Sequence, residues 1–246
     1  MNILIVIPAR IKSSRLPEKP LKKINGRQLI LRVLDACEPL IKKGVKIVVA
    51  TDEKKIFNLI NQSNFRAIMT SRKCLTGTDR VAEVAKKIKA SIYVNVQGDE
   101  PLINHEDIKK IIEAKKKFSD HIICGYSYLK KDEKEINKNI PKVVLNKKEE
   151  LLYISRSLIP GLKKKISKKQ KYLKQVCIYG FNKKDLTLFS SFKKKTYLEN
   201  LEDIEILRFL EIGKKIKMIK LNSQSYAVDT PEDLKRVEKI FKNLKK

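Results

Sequence analysis

Short β-branched runs alternate with stretches of helical period through the first two-thirds of this chain, and that alternation limits the fold more than any other feature of the sequence. The runs at 3–7, 46–50, 66–69, 92–96 and 122–128 have strand length and are largely apolar. Helices are expected between them at 28–40, 53–63, 79–88 and 106–117, with Thr78 and Asn104 as caps of the third and fourth. Strands alternating with helices predict an α/β fold, a mostly parallel sheet buried on both faces under helices. With 246 residues the chain is long enough for one large domain of this kind or two small ones.

After residue 130 the pattern changes. Two short apolar runs at 142–145 and 151–154 flank a polar turn and predict a hairpin, and a lysine-rich stretch at 163–174 reads as an exposed loop. Strand character returns at 176–181, a helix is expected at 198–212 and a last strand at 216–221, and a terminal helix opens at Thr230-Pro231. There is no internal repeat, and no linker long enough to demand two independent domains.

The formal net charge of +28 invites a nucleic-acid reading, but its distribution argues against one. Of 56 cations 46 are lysines spread along most of the chain; tryptophan is absent, and 31 isoleucines accompany them, the composition of an AT-rich genome. A binding stripe would localise the charge and interleave arginine and aromatic residues, so no specific nucleic acid is expected. No apolar run approaches the roughly 18 residues of a membrane span, and residues 1–7 lack the pattern of an export signal. The expectation is a cytoplasmic protein without membrane insertion. Cys37, Cys74, Cys124 and Cys177 lie far apart without a CxxC pair, and His105 and His121 are the only histidines, so a structural zinc is not expected. Cys37, Cys124 and Cys177 read as small core residues, Cys74 as a packed thiol and His105 as part of a helix start.

Three segments carry chemistry. The first strand runs into IPARIKSSRLPEKPL at 7–21, where Arg10, Ser13, Arg15 and Lys19 offer phosphate donors. Neither GxGxxG nor GxxxxGK[ST] occurs, which excludes the usual dinucleotide and P-loop cradles. The run VNVQGDEP at 94–101 ends a buried strand in a carboxylate pair, and VDTPEDL at 228–234 places a second acid after the last strand. Asp99 and Asp229 are therefore candidate ligands of a hard divalent ion; a turn and a helix cap are their plainer roles.

In order and spacing these segments resemble the 3-deoxy-manno-octulosonate cytidylyltransferases, or CMP-Kdo synthetases. ATD at 50–52, TGTDRVAEV at 76–84, YISRSLIP at 153–160 and IYGF at 178–181 extend the resemblance over nearly the whole chain. It implies a Rossmann-like nucleotide-diphospho-sugar transferase fold, a single domain over 1–246 with an inserted β-rich region at about 130–195 for sugar binding and dimerisation, and a homodimer. It also implies an enzyme that transfers CMP from CTP to the anomeric hydroxyl of Kdo, with Mg²⁺ on Asp99 and Asp229 and pyrophosphate released, in support of lipopolysaccharide synthesis. Lys19, Asp99 and Asp229 would be the catalytic set. Pro8, Ala9, Arg10, Ser13, Arg15, Lys19, Thr70, Thr78, Arg80 and Gln97 would bind the nucleotide. Gln97, Arg156, Gln175, Tyr179, Glu202 and Glu205 would bind the sugar, with Arg156 on its carboxylate.

Three positions depart from the family pattern: Gln175 and Cys74 stand where histidine is usual, and Ile206 where glutamine is. All lie away from the phosphate and carboxylate segments, so they bear on which sugar is accepted, leaving an amino-Kdo or another 3-deoxy-ulosonic acid as alternatives. A non-catalytic basic nucleotide- or RNA-binding protein is the alternative from a different class.

Overall fold

The computed structural model describes residues 1–163, 171–222 and 225–243. In chain order its elements begin with β1 (Ile3–Ala9), a 3₁₀ turn at Lys19–Leu21, the small strands β2 (Lys23–Ile24) and β3 (Arg27–Gln28), α1 (Leu29–Cys37) and a 3₁₀ stretch at Glu38–Lys43. β4 (Lys46–Thr51), α2 (Lys54–Asn61), β5 (Arg66–Met69), α3 (Gly77–Lys87), β6 (Ile92–Val96), α4 (His105–Lys117) and β7 (Ile122–Tyr128) follow. The remainder comprises β8 (Lys142–Leu145), β9 (Leu151–Ser155), β10 (Leu173–Phe181), α5 (Lys183–Ser190), α6 (Tyr197–Glu202), α7 (Leu207–Glu211), β11 (Ile216–Lys220) and α8 (Pro231–Asn243).

The main sheet has the order β11-β7-β10-β6-β1-β4-β5. Its strands are parallel except β10, which runs antiparallel between β6 and β7. The period-2 alternation of β1 explains the two-sided core: Ile5 and Ile7 point to one face with Ile30 of α1, Ile56 of α2 and Ile111 of α4, while Leu4 and Val6 point to the other with Val81 of α3, Phe189 of α5 and Phe209 of α7. Burying both faces is what the apolar runs require. The β8–β9 hairpin hangs from β10 with Val143 opposite Ile154, as the sequence predicts.

Several boundaries differ from expectation for physical reasons. The first helix stops at Cys37 and tightens into 3₁₀ geometry around Pro39, which cannot donate to the α ladder. The third is capped by Thr76 rather than Thr78: the Thr76 hydroxyl accepts from the Asp79 N–H and the Asp79 carboxylate accepts from the Thr76 N–H, a reciprocal box. Asn104 caps α4 as anticipated. The expected helix at 198–212 is two, separated where Asp203 takes a left-handed conformation (φ 50°). The lysine-rich loop falls mostly on residues 164–170, outside the described residues, and its last two positions belong to β10. Among the described residues no helix is long and apolar enough to cross a membrane.

Candidate functional site

β1 and β6 are parallel neighbours, with Val6 beside Asn95, so the loops leaving their carboxyl ends emerge side by side at one sheet edge. Such an edge is where open α/β sheets bind ligands. A cleft of about 350 Å³ opens there and adjoins a second cavity of about 600 Å³. Its walls include Pro8 and Ala9 at the end of β1, Arg10, Arg15 and Lys19 from the segment that follows it, Gln97 and Asp99 just after β6, and Asp229.

The two acids converge. Lys19 Nζ donates to Asp99 Oδ2 at 2.6 Å and to Asp229 Oδ1 at 2.9 Å, and Arg15 Nη2 stands 3.1 Å from Asp229 Oδ2. These partners lie 80 and 210 residues apart in sequence. Asp229 is held there by the backbone: the Val228 N–H donates to the Asp99 carbonyl at 2.9 Å. Helix capping falls to Thr230, whose hydroxyl accepts from the Asp233 N–H, and this leaves the Asp229 carboxylate directed at Lys19. Burial opposes charge on both groups, but mutual attraction wins. The ammonium of Lys19 is raised by its two carboxylates, and Asp229 is held below the usual carboxylate range by Lys19 and Arg15.

The donor set fits a hard divalent cation. Two carboxylates brought within hydrogen-bond reach of a single cation are hard oxygen ligands, and that ammonium satisfies the charge a dication would neutralise. Among the described residues no cluster of three or more His, Cys, Asp or Glu side chains could hold a metal.

The other candidates fall into two groups. Gln97 Nε2 donates to Glu205 Oε1 at 3.1 Å, and the second Glu205 oxygen accepts from the Thr78 N–H at 2.9 Å, so Glu205 joins the start of α3 to the end of β6 from the cleft wall. Burial raises its carboxyl. Gln175 Nε2 donates to the Tyr179 hydroxyl at 3.0 Å, and both face the cleft. Arg80 also reaches the wall while bracing Thr70 and Asp52 at 2.7 Å each. Arg156 lines the cleft while its guanidinium donates to the carbonyls of Glu202, Lys138 and Asp203 at 2.5–3.0 Å, bracing neighbouring loops with three of its five N–H groups.

Ser13, Thr70, Thr78 and Glu202 are not part of the cleft wall. The Ser13 hydroxyl accepts from the Leu16 N–H inside its own loop, and Thr78 is buried against Asn95. Glu202 accepts from the Ser155 hydroxyl and the Arg156 N–H. Ile206 is buried in the apolar core, so the glutamine it replaces removes no side chain from this wall. Cys177, expected in the core, lines both cavities, though burial keeps its thiol protonated. Cys74 donates to Glu83 and is pushed up to about 12 by burial and that carboxylate, an unreactive thiol.

Sequence reasoning missed Gly77 and Asn139. A Cβ on Gly77 would lie 3.1 Å from the Pro8 ring, so this glycine lets α3 approach the first loop; it stands in the quoted TGTDR block, which offered the signal. Asn139 Oδ1 accepts from Arg15 Nη1 at 3.2 Å, drawing the insert over the cleft, and nothing in its polar, aperiodic surroundings announces it.

Comparison with known proteins bears on the family and the fold. The family profile described as Cytidylyltransferase matches residues 4–216. A 3-deoxy-manno-octulosonate cytidylyltransferase of Thermodesulfovibrio yellowstonii is 38% identical over 98% of both chains, and one of Fusobacterium nucleatum is 38% identical at the same coverage. Among solved structures, a CMP:2-keto-3-deoxy-manno-octonic acid synthetase complexed with CTP superposes with a TM-score of 0.90 at 33% identity, covering 99% of each chain. An inositol-1-phosphate CTP transferase from T. maritima, at 17% identity and a TM-score of 0.68, shares the fold.

Proposed function

The chain belongs to the 3-deoxy-manno-octulosonate cytidylyltransferase family, and from that premise we propose that it transfers CMP from CTP to Kdo in the presence of Mg²⁺. The observation that carries this reading is the meeting of Asp99 and Asp229 on Lys19, beside Arg15, at the ligand-binding edge of the sheet.

In the reaction the anomeric hydroxyl oxygen of the sugar acid bonds to the α-phosphorus of CTP. The bond from that phosphorus to the bridging oxygen breaks, pyrophosphate leaves, and the hydroxyl proton is lost to solvent. Most of the acceleration is positioning and charge stabilisation. Arg10, Arg15 and Lys19 hold the triphosphate and stabilise the departing pyrophosphate, arginine by its planar fork and lysine as a point charge. Asp99 and Asp229 would hold the divalent ion, which when bound would supply Lewis acidity to the attacking hydroxyl and charge neutralisation at the α-phosphate. Pro8, Ala9 and Gly77 form the wall against which the cytidine rests. Gln97 stands between nucleotide and sugar, oriented by Glu205. Gln175 and Tyr179, paired on the opposite wall, supply hydrogen bonds to sugar hydroxyls.

The region 130–195 acts as a sugar-binding and dimerisation insert of a single domain. Supporting this, Asn139 bonds to Arg15 across the cleft, and among the described residues β9 forms its strand ladder with β8 while Leu152 on it is exposed. The enzyme works in the cytoplasm and supplies activated sugar for lipopolysaccharide assembly. Pyrophosphate release measured with CTP, Mg²⁺ and a panel of 3-deoxy-ulosonic acids tests the assignment. Turnover with Kdo is expected. Rejection of Kdo with acceptance of an amino-Kdo would move the substrate, and no turnover with any acid would overturn the reading.

A further inference from the structure

The segment carrying Asp229 reaches the cleft without a strand to support it: β11 ends at Lys220, α8 begins at Pro231, and residues 225–230 between them form neither helix nor strand. Its placement rests on contacts from outside. One is the Val228 N–H bond to the Asp99 carbonyl. Another is Lys130, whose Nζ donates to the Ser225 carbonyl at 3.0 Å.

The third contact centres on Tyr226, three residues before Asp229. Lys130 Nζ lies 3.3 Å from the centre of its ring and Arg236 Cζ 4.0 Å from it. The Tyr226 hydroxyl meets Asp132 Oδ2 at 3.1 Å, and Asp132 pairs in turn with Arg236. Lys130 and Asp132 open the insert, while Arg236 belongs to α8. One aromatic ring, two cations and one carboxylate thus tie the insert and the terminal helix to the strand-free segment. Two cations would repel each other at such range; the negative ring face and the Asp132 carboxylate make their approach favourable. None of the four side chains is part of the Lys19 cluster, yet together they fix the backbone from which Asp229 projects.

We propose that Tyr226, gripped by Lys130, Asp132 and Arg236, is a positioning residue that sets the affinity of the Asp99–Asp229 pair for its divalent cation. The proposal rests on reading those carboxylates as metal ligands. Tyr226 is half-buried and packs at the edge of a small apolar cluster with Val228, Val237 and Leu234, so Tyr226→Leu retains apolar contact while removing the ring face and the hydroxyl.

The test is titration of Mn²⁺ into the full chain with CTP and without sugar acid, followed by electron paramagnetic resonance of the free ion. Tyr226→Leu is expected to weaken Mn²⁺ binding by about five- to thirtyfold, the loss of the ring's contacts with two partly exposed cations. Tyr226→Phe, which keeps the ring, is expected to stay within about threefold of wild type on the same scale. Leu234→Ala serves as the control, because it loosens the same apolar cluster without touching the grip. Wild-type metal affinity in Tyr226→Leu, or an equal loss in Leu234→Ala, would overturn the proposal while wild-type turnover and Mn²⁺ binding left the metal assignment standing. A wild-type protein that binds no Mn²⁺ in the presence of CTP would overturn both.

Discussion

Replacing Arg208 by methionine should be among the most damaging single changes in this protein outside the cleft. The Arg208 side chain has no solvent exposure. Its Nε and Nη2 each donate to a Glu199 oxygen at 2.7 Å, and its Nη1 donates to the Phe189 carbonyl at 3.0 Å and to Asp79 at 3.2 Å. The guanidinium also lies over the Phe189 ring at 3.7 Å. Methionine fills similar volume but strands the Glu199 carboxylate, likewise without exposure, on the Thr196 N–H at 3.1 Å and hydroxyl at 3.4 Å. Breaking one side of a buried pair costs about 3–5 kcal/mol. For a chain of this length each kcal/mol moves the midpoint by about 2–4 °C, so Tm should fall by roughly 6–20 °C. The Arg208→Met/Glu199→Gln double variant removes the stranded charge and should recover about 2 kcal/mol or more of that loss in urea unfolding. Because Asp79 also closes the capping box on Thr76 at the cleft wall, KM for CTP should rise in the single variant. A single variant within about 1 kcal/mol of wild type, or a double variant no more stable than the single, would refute the reasoning.

Three further outcomes follow from the same geometry. Gly98→Ala would place a Cβ 2.7 Å from the Pro8 carbonyl oxygen, a backbone atom, so the ends of β1 and β6 must part. Destabilisation of about 1–3 kcal/mol and a fall in kcat are expected, and wild-type behaviour in chemical unfolding and turnover would contradict the close approach. Asp99→Ala and Asp229→Ala should each abolish pyrophosphate release while circular dichroism stays native; normal turnover in either would remove that residue from the metal site. Burial and the nearby Lys174 lower the Lys130 ammonium to about 8, below its ordinary value of 10.5. Between those two values the unfolded chain holds more protons than the folded one, so this residue's contribution to stability is lost as pH falls through 8 and regained towards 10.5. The stability difference between wild type and Lys130→Met should therefore grow with pH across that window, and a flat difference would show Lys130 to be unperturbed.

The strands at 66–69, 92–96 and 122–128 were legible to the residue because their mostly apolar, β-branched and aromatic residues form short runs of strand length, largely buried in the sheet. The placement of β10 was not, since antiparallel insertion between β6 and β7 depends on pairing over long sequence distance that no local pattern encodes. Nor was the break at Asp203, where an acid in left-handed backbone interrupts an otherwise helical period. At the site, Arg10, Arg15, Lys19 and Asp99 follow strand ends and could be placed from topology alone. The bracing contacts of Arg156 could not, because the carbonyls its guanidinium meets belong to loops elsewhere in the chain. Thr70 and Thr78 sit in the right segments but point inward, a distinction set by which face of the backbone the cleft opens on.

On the function proposed above, Asp99 and Asp229 together hold one divalent ion against the triphosphate. Crystals grown with CTP and Mn²⁺, measured at the manganese absorption edge, test it directly. An anomalous peak is expected within about 2.0–2.3 Å of an oxygen from each carboxylate, with Lys19 moved onto the triphosphate. A peak touching only one of the two, or a nucleotide bound while Lys19 still bridges both acids, would contradict it.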